Sequence, residues 1–157
     1  MKKTGHQFLI ISFILIFISS CDNNRVFEAY KEIPESNWNK DSLVTFDIPV
    51  TDTIQNHNLY LNVRNDISYN FSNLWLFIEI NEPGGTAVTD TLEVLLADQS
   101  GRWLGDGFGG IKNQQIAYKG NVFFPASGEY KIVIQHGMRE EPLKGITDIG
   151  FRVEKAD

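Results

Sequence analysis

The heptapeptide VTFDIPV, residues 44–50, alternates apolar and polar side chains. Its apolar residues occupy every second position, which is the period of a β-strand that buries one face. Pro49 has no backbone N–H to donate to a neighbouring strand, so the segment is expected at a strand end or at a sheet edge. The heptapeptide therefore predicts a sheet with one face on a hydrophobic core.

Further segments with strand character follow at short intervals, and none shows the capped 3.6-residue period of a long helix. They are residues 59–63, 74–80, 90–97, 116–119, 121–124, 129–135 and 149–153. Segment 90–97 fits a strand or a short helix, and a strand is preferred. Many short strands at this spacing predict an all-β protein, an antiparallel β-sandwich of jelly-roll or Ig-like type. The residues predicted inside its core are Phe46, Leu61, Leu76, Ile78, Ile132, Ile134 and Phe151.

The first 20 residues have the features of an export signal. Lys2 and Lys3 supply a positive start, and FLIISFILIFI, residues 8–18, is an apolar run interrupted only by a serine. The run is shorter than the roughly 20 residues that a membrane-spanning helix needs. Its length is typical of the apolar region of a signal peptide. Residues 1–20 are therefore predicted to be a signal peptide of the lipoprotein type.

The tetrapeptide ISSC, residues 18–21, resembles the bacterial lipobox. The resemblance implies that the Cys21 thiol is acylated, that the chain is cut before it, and that the new amino group is acylated too. Several acyl chains make a durable anchor where one is only marginal. The alternative is an ordinary signal peptide with a chance cysteine at its cleavage site. Cys21 is the only cysteine, so no disulfide is available to the domain.

The predicted organisation has three parts. Residues 1–20 are the signal peptide, residues 21–40 hold the lipidated Cys21, a polar tether and an N-terminal arm, and residues 41–157 form the sandwich. The arm is either an edge strand or an ordered extension. Removing residues 1–20 leaves 12 basic against 20 acidic residues, a net charge of −8. The acids are scattered, and no basic footprint for nucleic acid or anionic lipid is present.

The sequence contains no pattern that predicts catalysis or a metal site. Only His57 and His136 lie after the signal peptide, and zinc needs three or four ligands. They are interpreted as surface or turn histidines. Ser127 lies in a turn rather than in the strained elbow of a serine hydrolase. We therefore expect no enzyme activity, no catalytic residue, no metal and no cofactor.

The segment SGRWLGDGFGG, residues 100–110, is rich in glycine. It lacks the Lys-Ser/Thr of a phosphate-binding loop, and Asp98 and Asp106 lack EF-hand spacing. The preferred interpretation is a tight connection in which glycine supplies positive φ around two buried aromatics. The alternative is a ligand-binding loop that uses Trp103 and Phe108.

Three sites match an O-glycosylation sequon of the Bacteroidetes, Asp-Ser/Thr followed by an apolar residue or Thr. The acceptors are Ser42, Thr53 and Thr91. The alternative is that Asp-Ser/Thr pairs are ordinary turn chemistry at strand starts. The two interpretations stay open at the level of sequence.

An ordered set of landmarks runs across nearly all of the chain after the signal peptide. They are Cys21, residues 27–30, Trp38, residues 64–65, Tyr69, residues 73–77, 90–93, 101–105, 128–130, 138–139, Leu143, residues 145–146 and 148–150. In this order they resemble the gliding-motility lipoprotein family GldH of the Bacteroidetes. The resemblance implies a component of the gliding and type IX secretion apparatus. It implies other envelope proteins of that machinery as partners, and no nucleic acid.

Two functions are therefore carried forward. The first is a non-enzymatic lipoprotein that assembles or stabilises envelope components, anchored to a membrane and facing the periplasm. Its partner patch is predicted at Arg64, Asn73, Trp103 and Arg139, because Trp and Arg are enriched at interface hot spots. The alternative is that Arg64 and Asn73 hydrogen-bond buried backbone groups and that Trp103 fills the core. The second function is a carbohydrate-binding lipoprotein, which is expected to present Trp75, Trp103 or Phe108 in a row on one face.

Overall fold

The computed structural model describes residues 22–156, and within them the chain forms ten strands and one short 3₁₀ helix, Pro34–Ser36. Cys21 and the predicted signal peptide, residues 1–20, lie outside the described residues. The strands are β1 (Arg25–Glu32), β2 (Asn37–Trp38), β3 (Val44–Val50), β4 (His57–Asp66), β5 (Asn73–Asn81), β6 (Ala87–Leu95), β7 (Ile111–Val122), β8 (Gly128–His136), β9 (Leu143–Lys144) and β10 (Ile146–Lys155).

The strands form two four-stranded antiparallel sheets. The first sheet has the order β1-β10-β4-β7, and the second has the order β3-β8-β5-β6. A two-stranded ladder joins β2 to β9. The prediction of an all-β antiparallel sandwich is confirmed. Pro49 lies near the end of β3, an edge strand of the second sheet, where a missing N–H is tolerated.

The core lies between the two sheets. All seven residues predicted inside it are buried, because alternate positions of a strand point to the same face. Trp38 adds the largest fully buried side chain, and its Nε1 donates a 2.8 Å hydrogen bond to the carbonyl oxygen of Ser42. The core is therefore larger than the predicted strands alone supply.

The N-terminal arm is part of the first sheet. Strand β1 pairs with β10 along its length, from Arg25 opposite Glu154 to Glu32 opposite Asp148. The predicted boundary at residue 41 falls between β2 and β3, and the sandwich takes strands from both sides of it. Since β1 pairs with β10 and lies at the edge of the sheet β1-β10-β4-β7, this part of the arm is an edge strand, which chooses between the two alternatives left by the sequence.

The segments predicted on either side of Gly120 are one strand, β7. The pairing of β7 with β4 slips twice, between His57 and Leu59 and again between Leu59 and Tyr60. An irregularity of this kind lets a strand continue through a glycine and a left-handed residue such as Asn121, whose φ is 56°. The strand therefore continues through the glycine instead of ending there.

The sandwich has two different ends. The terminal end holds both ends of the described chain, residues 22–24 and 156, together with connections 51–56, 82–86 and 123–127. The registers place it there, since Arg25 pairs with Glu154 and His57 pairs with both Lys155 and Val122. The loop end is opposite and holds connections 33–43, 67–72, 96–110 and 137–145. The longer connections thus lie away from the chain termini.

Candidate functional site

Residues 22–25, predicted as a tether, are docked on the first sheet at the terminal end. The carboxylate of Asp22 pairs with the guanidinium of Arg152 on β10. The carbonyl oxygen of Asn24 accepts a 2.8 Å hydrogen bond from the Lys155 N–H. The chain is therefore held by the domain from Asp22 onward.

Arg152 gathers three carboxylates on the outer face of the first sheet. Besides Asp22, it pairs with Glu154 and, at 2.9 Å from Nη1, with Glu28. Burial alone would lower the pKa of Arg152, but hydrogen bonds to Asp22 and Glu154 raise it above the ordinary value. The same hydrogen bond from Arg152 lowers the pKa of Asp22. The docking of Asp22 thus depends on a permanently charged partner.

Sequence reasoning did not single out Arg152. The only local signal is its outward position between two core residues in IGFRV, residues 149–153, and its partner Asp22 lies 130 positions earlier. The other indication in the sequence is Asp22 itself, an acid directly after the predicted lipid-attachment cysteine. Only the fold shows that the two meet.

A rim of connected loops surrounds the docked residues at the terminal end. The Ala156 N–H donates to the carbonyl oxygen of Asn56 at 2.8 Å, and Asn56 Nδ2 donates to Asn121 Oδ1 at 2.9 Å. The Asp52 carboxylate accepts hydrogen bonds from the N–H groups of Ile54 and Gln55 at 2.9 and 3.1 Å. The loop 51–56 is therefore internally bonded and joined to β7.

Three apolar side chains project from this rim. Ile54 is 90% exposed at the tip of loop 51–56, Phe123 is 55% exposed just after β7, and Val26 is 42% exposed at the start of β1. Single exposed apolar residues are common on protein surfaces. Here three of them, two on connections and one at the start of β1, lie at the same end of the sandwich as the chain termini, and we name them together the terminal rim.

At the loop end, the glycine-rich segment crosses the start of β7. Asp106 and Asn113 exchange backbone hydrogen bonds of 3.0 and 2.7 Å. A Cβ at Gly107 would lie 2.1 Å from the Ile111 carbonyl oxygen, and one at Gly105 would lie 2.9 Å from that of Asn113. These glycines are needed for close approach of two backbones. Positive φ, which was the predicted reason, applies to Gly101 and Gly109.

The aromatics of this segment differ in environment. Both were predicted to be buried. Trp103 is half-buried and packs against the core, but Phe108 is fully exposed, so the prediction is wrong for Phe108. The loop carries Phe108 outward because it runs across the edge of β7. Asp98 accepts hydrogen bonds from the Ser100 hydroxyl and the Arg102 N–H, at 2.6 and 3.0 Å, and these lower its pKa. The Asp98 carboxylate therefore stabilises the turn at residues 98–102.

The four residues of the predicted partner patch all lie near the loop end but on different surfaces. Arg64 projects from the outer face of the first sheet, 4.1 Å above the Tyr30 ring centroid and 3.8 Å from Asp148. Asn73 projects from the outer face of the second sheet and donates to Glu93 at 2.7 Å. Trp103 is half-buried, and Arg139 is exposed. The patch remains a prediction.

The aromatics proposed for sugar binding lie on three parts of the fold. Trp75 is on the outer face of the second sheet, Trp103 packs against the core, and Phe108 lies beside the edge of the first sheet. The structure does not align these three rings on one face. An apolar cavity of about 130 Å³ between β6 and β7 is below the usual size of a ligand pocket, and a larger one of about 440 Å³, along residues 31–34 and 42–47, contains none of the three rings.

His57 and His136 are buried, at 2% and 0% exposure, which corrects their interpretation as surface or turn residues. His57 packs against Phe124, and His136 packs against Trp38, with ring centroids 5.2 Å apart in both pairs. Burial lowers the pKa of each imidazole. His57 begins β4 at the terminal end and His136 ends β8 at the loop end, so one metal ion cannot use both.

The remaining candidate residues are placed as follows. Ser127 is exposed in the connection between β7 and β8. Within residues 22–156, no group of three or more His, Cys, Asp or Glu is arranged to hold a metal ion. Of the predicted glycosylation acceptors, Ser42 and Thr91 are exposed and Thr53 is half-buried. Accessibility therefore favours Ser42 and Thr91, and modification stays a prediction.

The described chain contains no helix with the length and apolar character needed to cross a membrane. The fold defines a class of β-sandwich protein. Its chain is bonded to the first sheet from the first described residue, Asp22, onward. Residues 25–153 match the family described as GldH lipoprotein. The chain belongs to the GldH lipoprotein family, and membership implies membrane association through a lipid. The resemblance seen in the sequence landmarks is thereby confirmed.

Two relatives match over the whole chain. The chain is 43% identical to the gliding motility lipoprotein GldH homolog of Christiangramia forsetii, over 99% of each protein. It is 44% identical to the gliding motility lipoprotein GldH of Flavobacterium johnsoniae, over 100% of each. Among solved structures, infectious bursal disease virus Gx strain aligns over 86% of this chain and 41% of its own, with 16% identity and a TM-score of 0.19. That TM-score supports no argument about function.

Proposed function

We propose that the protein is a non-enzymatic lipoprotein that assembles or stabilises envelope components of the gliding motility and type IX secretion machinery. The observation that carries the proposal is its similarity, over the full length, to two proteins named gliding motility lipoproteins. The lipid is attached to Cys21, and the domain faces the periplasm. Partners are other envelope proteins of that machinery.

A deletion strain of the native host tests this function. Without the protein, surface delivery of secreted proteins falls, and so does gliding where the host glides. The wild-type gene restores both, whereas Cys21→Ala largely fails because the anchor raises the concentration near membrane partners. Ser20→Ala is the matched control, since it keeps a small residue before the cysteine. Normal secretion and motility in the deletion strain contradict the proposal.

Lipidation is measured in the same strains. Labelling with a clickable palmitate analogue marks the wild type and Ser20→Ala, and leaves Cys21→Ala unmarked. The Cys21→Ala protein also keeps its predicted signal peptide, which mass spectrometry detects. Equal labelling of Cys21→Ala and the wild type rules out Cys21 as the lipid site.

The loop end is the partner-facing end in this proposal, because it lies opposite the residue that follows the lipid-bearing cysteine. Arg139 is its best single test, since the side chain is exposed. Arg139→Ala keeps the melting temperature and lowers secretion and motility. Trp103→Ala is the contrast, because this half-buried ring packs against the core and its loss lowers the melting temperature as well. Full activity of Arg139→Ala removes Arg139 from the patch.

A further inference from the structure

The position of the docked N-terminus orients the domain relative to a bilayer. Asp22 is fixed to Arg152 at the terminal end. Neighbouring Cα atoms are about 3.8 Å apart, so a lipid on the preceding residue starts at that same end of the sandwich. This step rests on the proposed lipidation of Cys21. The residues surrounding Asp22 are then the ones that meet the membrane first.

The terminal rim has the side chains that such contact requires. Ile54, Phe123 and Val26 are exposed around the docked residues. Val26 lies in β1 and Phe123 follows β7, so the rim spans the first sheet, about 14 Å at roughly 4.8 Å between strands. The hydrogen bonds of Asn56 to Ala156 and to Asn121 connect these loops. The apolar side chains therefore share one end of the domain.

Two carboxylates at this end of the sandwich, those of Asp22 and Asp52, are already bonded. Asp22 is paired with Arg152, and Asp52 accepts hydrogen bonds from the N–H groups of its own loop, which lowers the pKa of each. The Asp52 carboxylate is turned toward the backbone that carries Ile54. An apolar tip on an internally bonded loop enters the boundary between headgroups and acyl chains at little cost in lost hydrogen bonds.

We propose that the terminal rim, with Ile54 and Phe123 as its main contacts, is a membrane-contacting surface that seats the domain directly on the lipid bilayer. The lipid attaches the chain, and the rim fixes which end of the sandwich faces the membrane. The loop end then points away from the bilayer.

Spin labelling of the full-length mature lipoprotein tests this surface. Cys21 is the only cysteine, so an introduced cysteine is the only free thiol once Cys21 is acylated. The variants are Ile54→Cys and Phe123→Cys on the rim and Phe108→Cys at the loop end as the matched exposed control. Each is purified with its lipid and placed in protein-free liposomes of host lipids. Collisions with oxygen, which is enriched in the bilayer, are compared with collisions with a water-soluble nickel complex.

We expect labels at 54 and 123 to collide more with oxygen and severalfold less with nickel than the label at 108. Equal, water-like collisions at all three positions overturn the membrane contact. Rim labels that are shielded in native membranes but water-like in liposomes assign the rim to a protein partner and also overturn it. Mass spectrometry of the same samples separates the two proposals. A lipidated protein with water-like rim labels refutes only the contact, whereas a protein without lipid refutes the anchor and the contact together.

Discussion

The phenol ring of Tyr30 lies across the backbone of Gly150, its partner on the neighbouring strand. A Cβ at position 150 would lie 2.7 Å from the Tyr30 Cδ1 and 3.0 Å from the Asn62 Cβ. The ring covers Asn62, which is buried although it belongs to the outer face of the first sheet. An aromatic ring over a strand glycine thus seals part of this surface.

Gly150→Ala is expected to lower the free energy of unfolding by about 1–3 kcal/mol, because the methyl group has no space under the Tyr30 ring. Denaturant unfolding followed by circular dichroism measures the change. The cost falls when Tyr30→Ala is combined with it, since the ring is then absent. Gly120→Ala is the control, because its Cβ would meet only the Asn58 Oδ1 at 3.6 Å. Equal losses for both alanine variants would refute the contact.

Leu76→Ala should cost about 2–5 kcal/mol of unfolding free energy, since it leaves a cavity between the two sheets. Leu76 is fully buried on β5. Leu95, on the adjacent strand β6, is 57% exposed, and Leu95→Ala removes the same atoms from the surface. Its change should stay within about 0.5 kcal/mol. Thermal melts of the two variants that coincide would contradict the assigned core.

Acidification is expected to destabilise the fold through its two buried histidines. Burial lowers the pKa of His57 and His136 in the folded state, while the unfolded values stay near 6.5. Below that pH the unfolded chain binds more protons, so stability is complete above about pH 6.5 and falls toward pH 5. Each histidine contributes at most about 1.4 kcal/mol per pH unit. His57→Gln and His136→Gln should each flatten the profile, and an unchanged slope in both would exclude this origin.

Asp90→Asn should lower the free energy of unfolding, because Asp90 joins β6 and β7, the edge strands of the two sheets. The Asp90 carboxylate on β6 lies 2.6 Å from Lys119 Nζ and accepts a 2.5 Å hydrogen bond from the Tyr118 hydroxyl on β7. The hydrogen bonds from Lys119 and Tyr118 lower the pKa of Asp90. The group is partly exposed, so we expect a loss of about 1 kcal/mol at neutral pH. In the control Asp47→Asn, the Asp47–Lys131 pair is exposed and 4.0 Å apart, and stability should hardly change.

Glycosylation is expected to depend on the acid of each sequon as well as on its acceptor. Protein purified from the native host should lose one glycan mass in Ser42→Ala and one in Thr91→Ala, and Asp90→Asn should match Thr91→Ala. Intact mass spectrometry makes the comparison, with protein expressed in a host lacking the pathway as the unmodified reference. An identical mass from both hosts would assign the Asp-Ser/Thr pairs to turn chemistry alone.

The strands and the core were predictable from sequence because their signal is local. Phe46, Ile132 and Ile134 follow a period of two along their own strands, and that period alone places them inside. Trp38 was not placed, because its strand has two residues and is fixed by β9, more than 100 positions later. The same holds for Arg152 and Asp22. Pairings between distant segments depend on the assembled sheets, which no single stretch of sequence encodes.

Because Asp22 is held against β10, the length of the sandwich sets the distance between the attached end of the chain and the loop end. The ten residues of β10 run from one end of the domain to the other, about 33 Å at roughly 3.3 Å per residue. In the proposed arrangement, with the lipid on Cys21 and the terminal rim on the bilayer, Phe108 and Arg139 lie at a fixed distance of that order from the membrane surface. A partner that binds the loop end must therefore extend to this distance from the membrane. A spacer of flexible residues inserted before Asp22 would leave every contact within the domain intact. It would also remove the fixed distance between the loop end and the membrane.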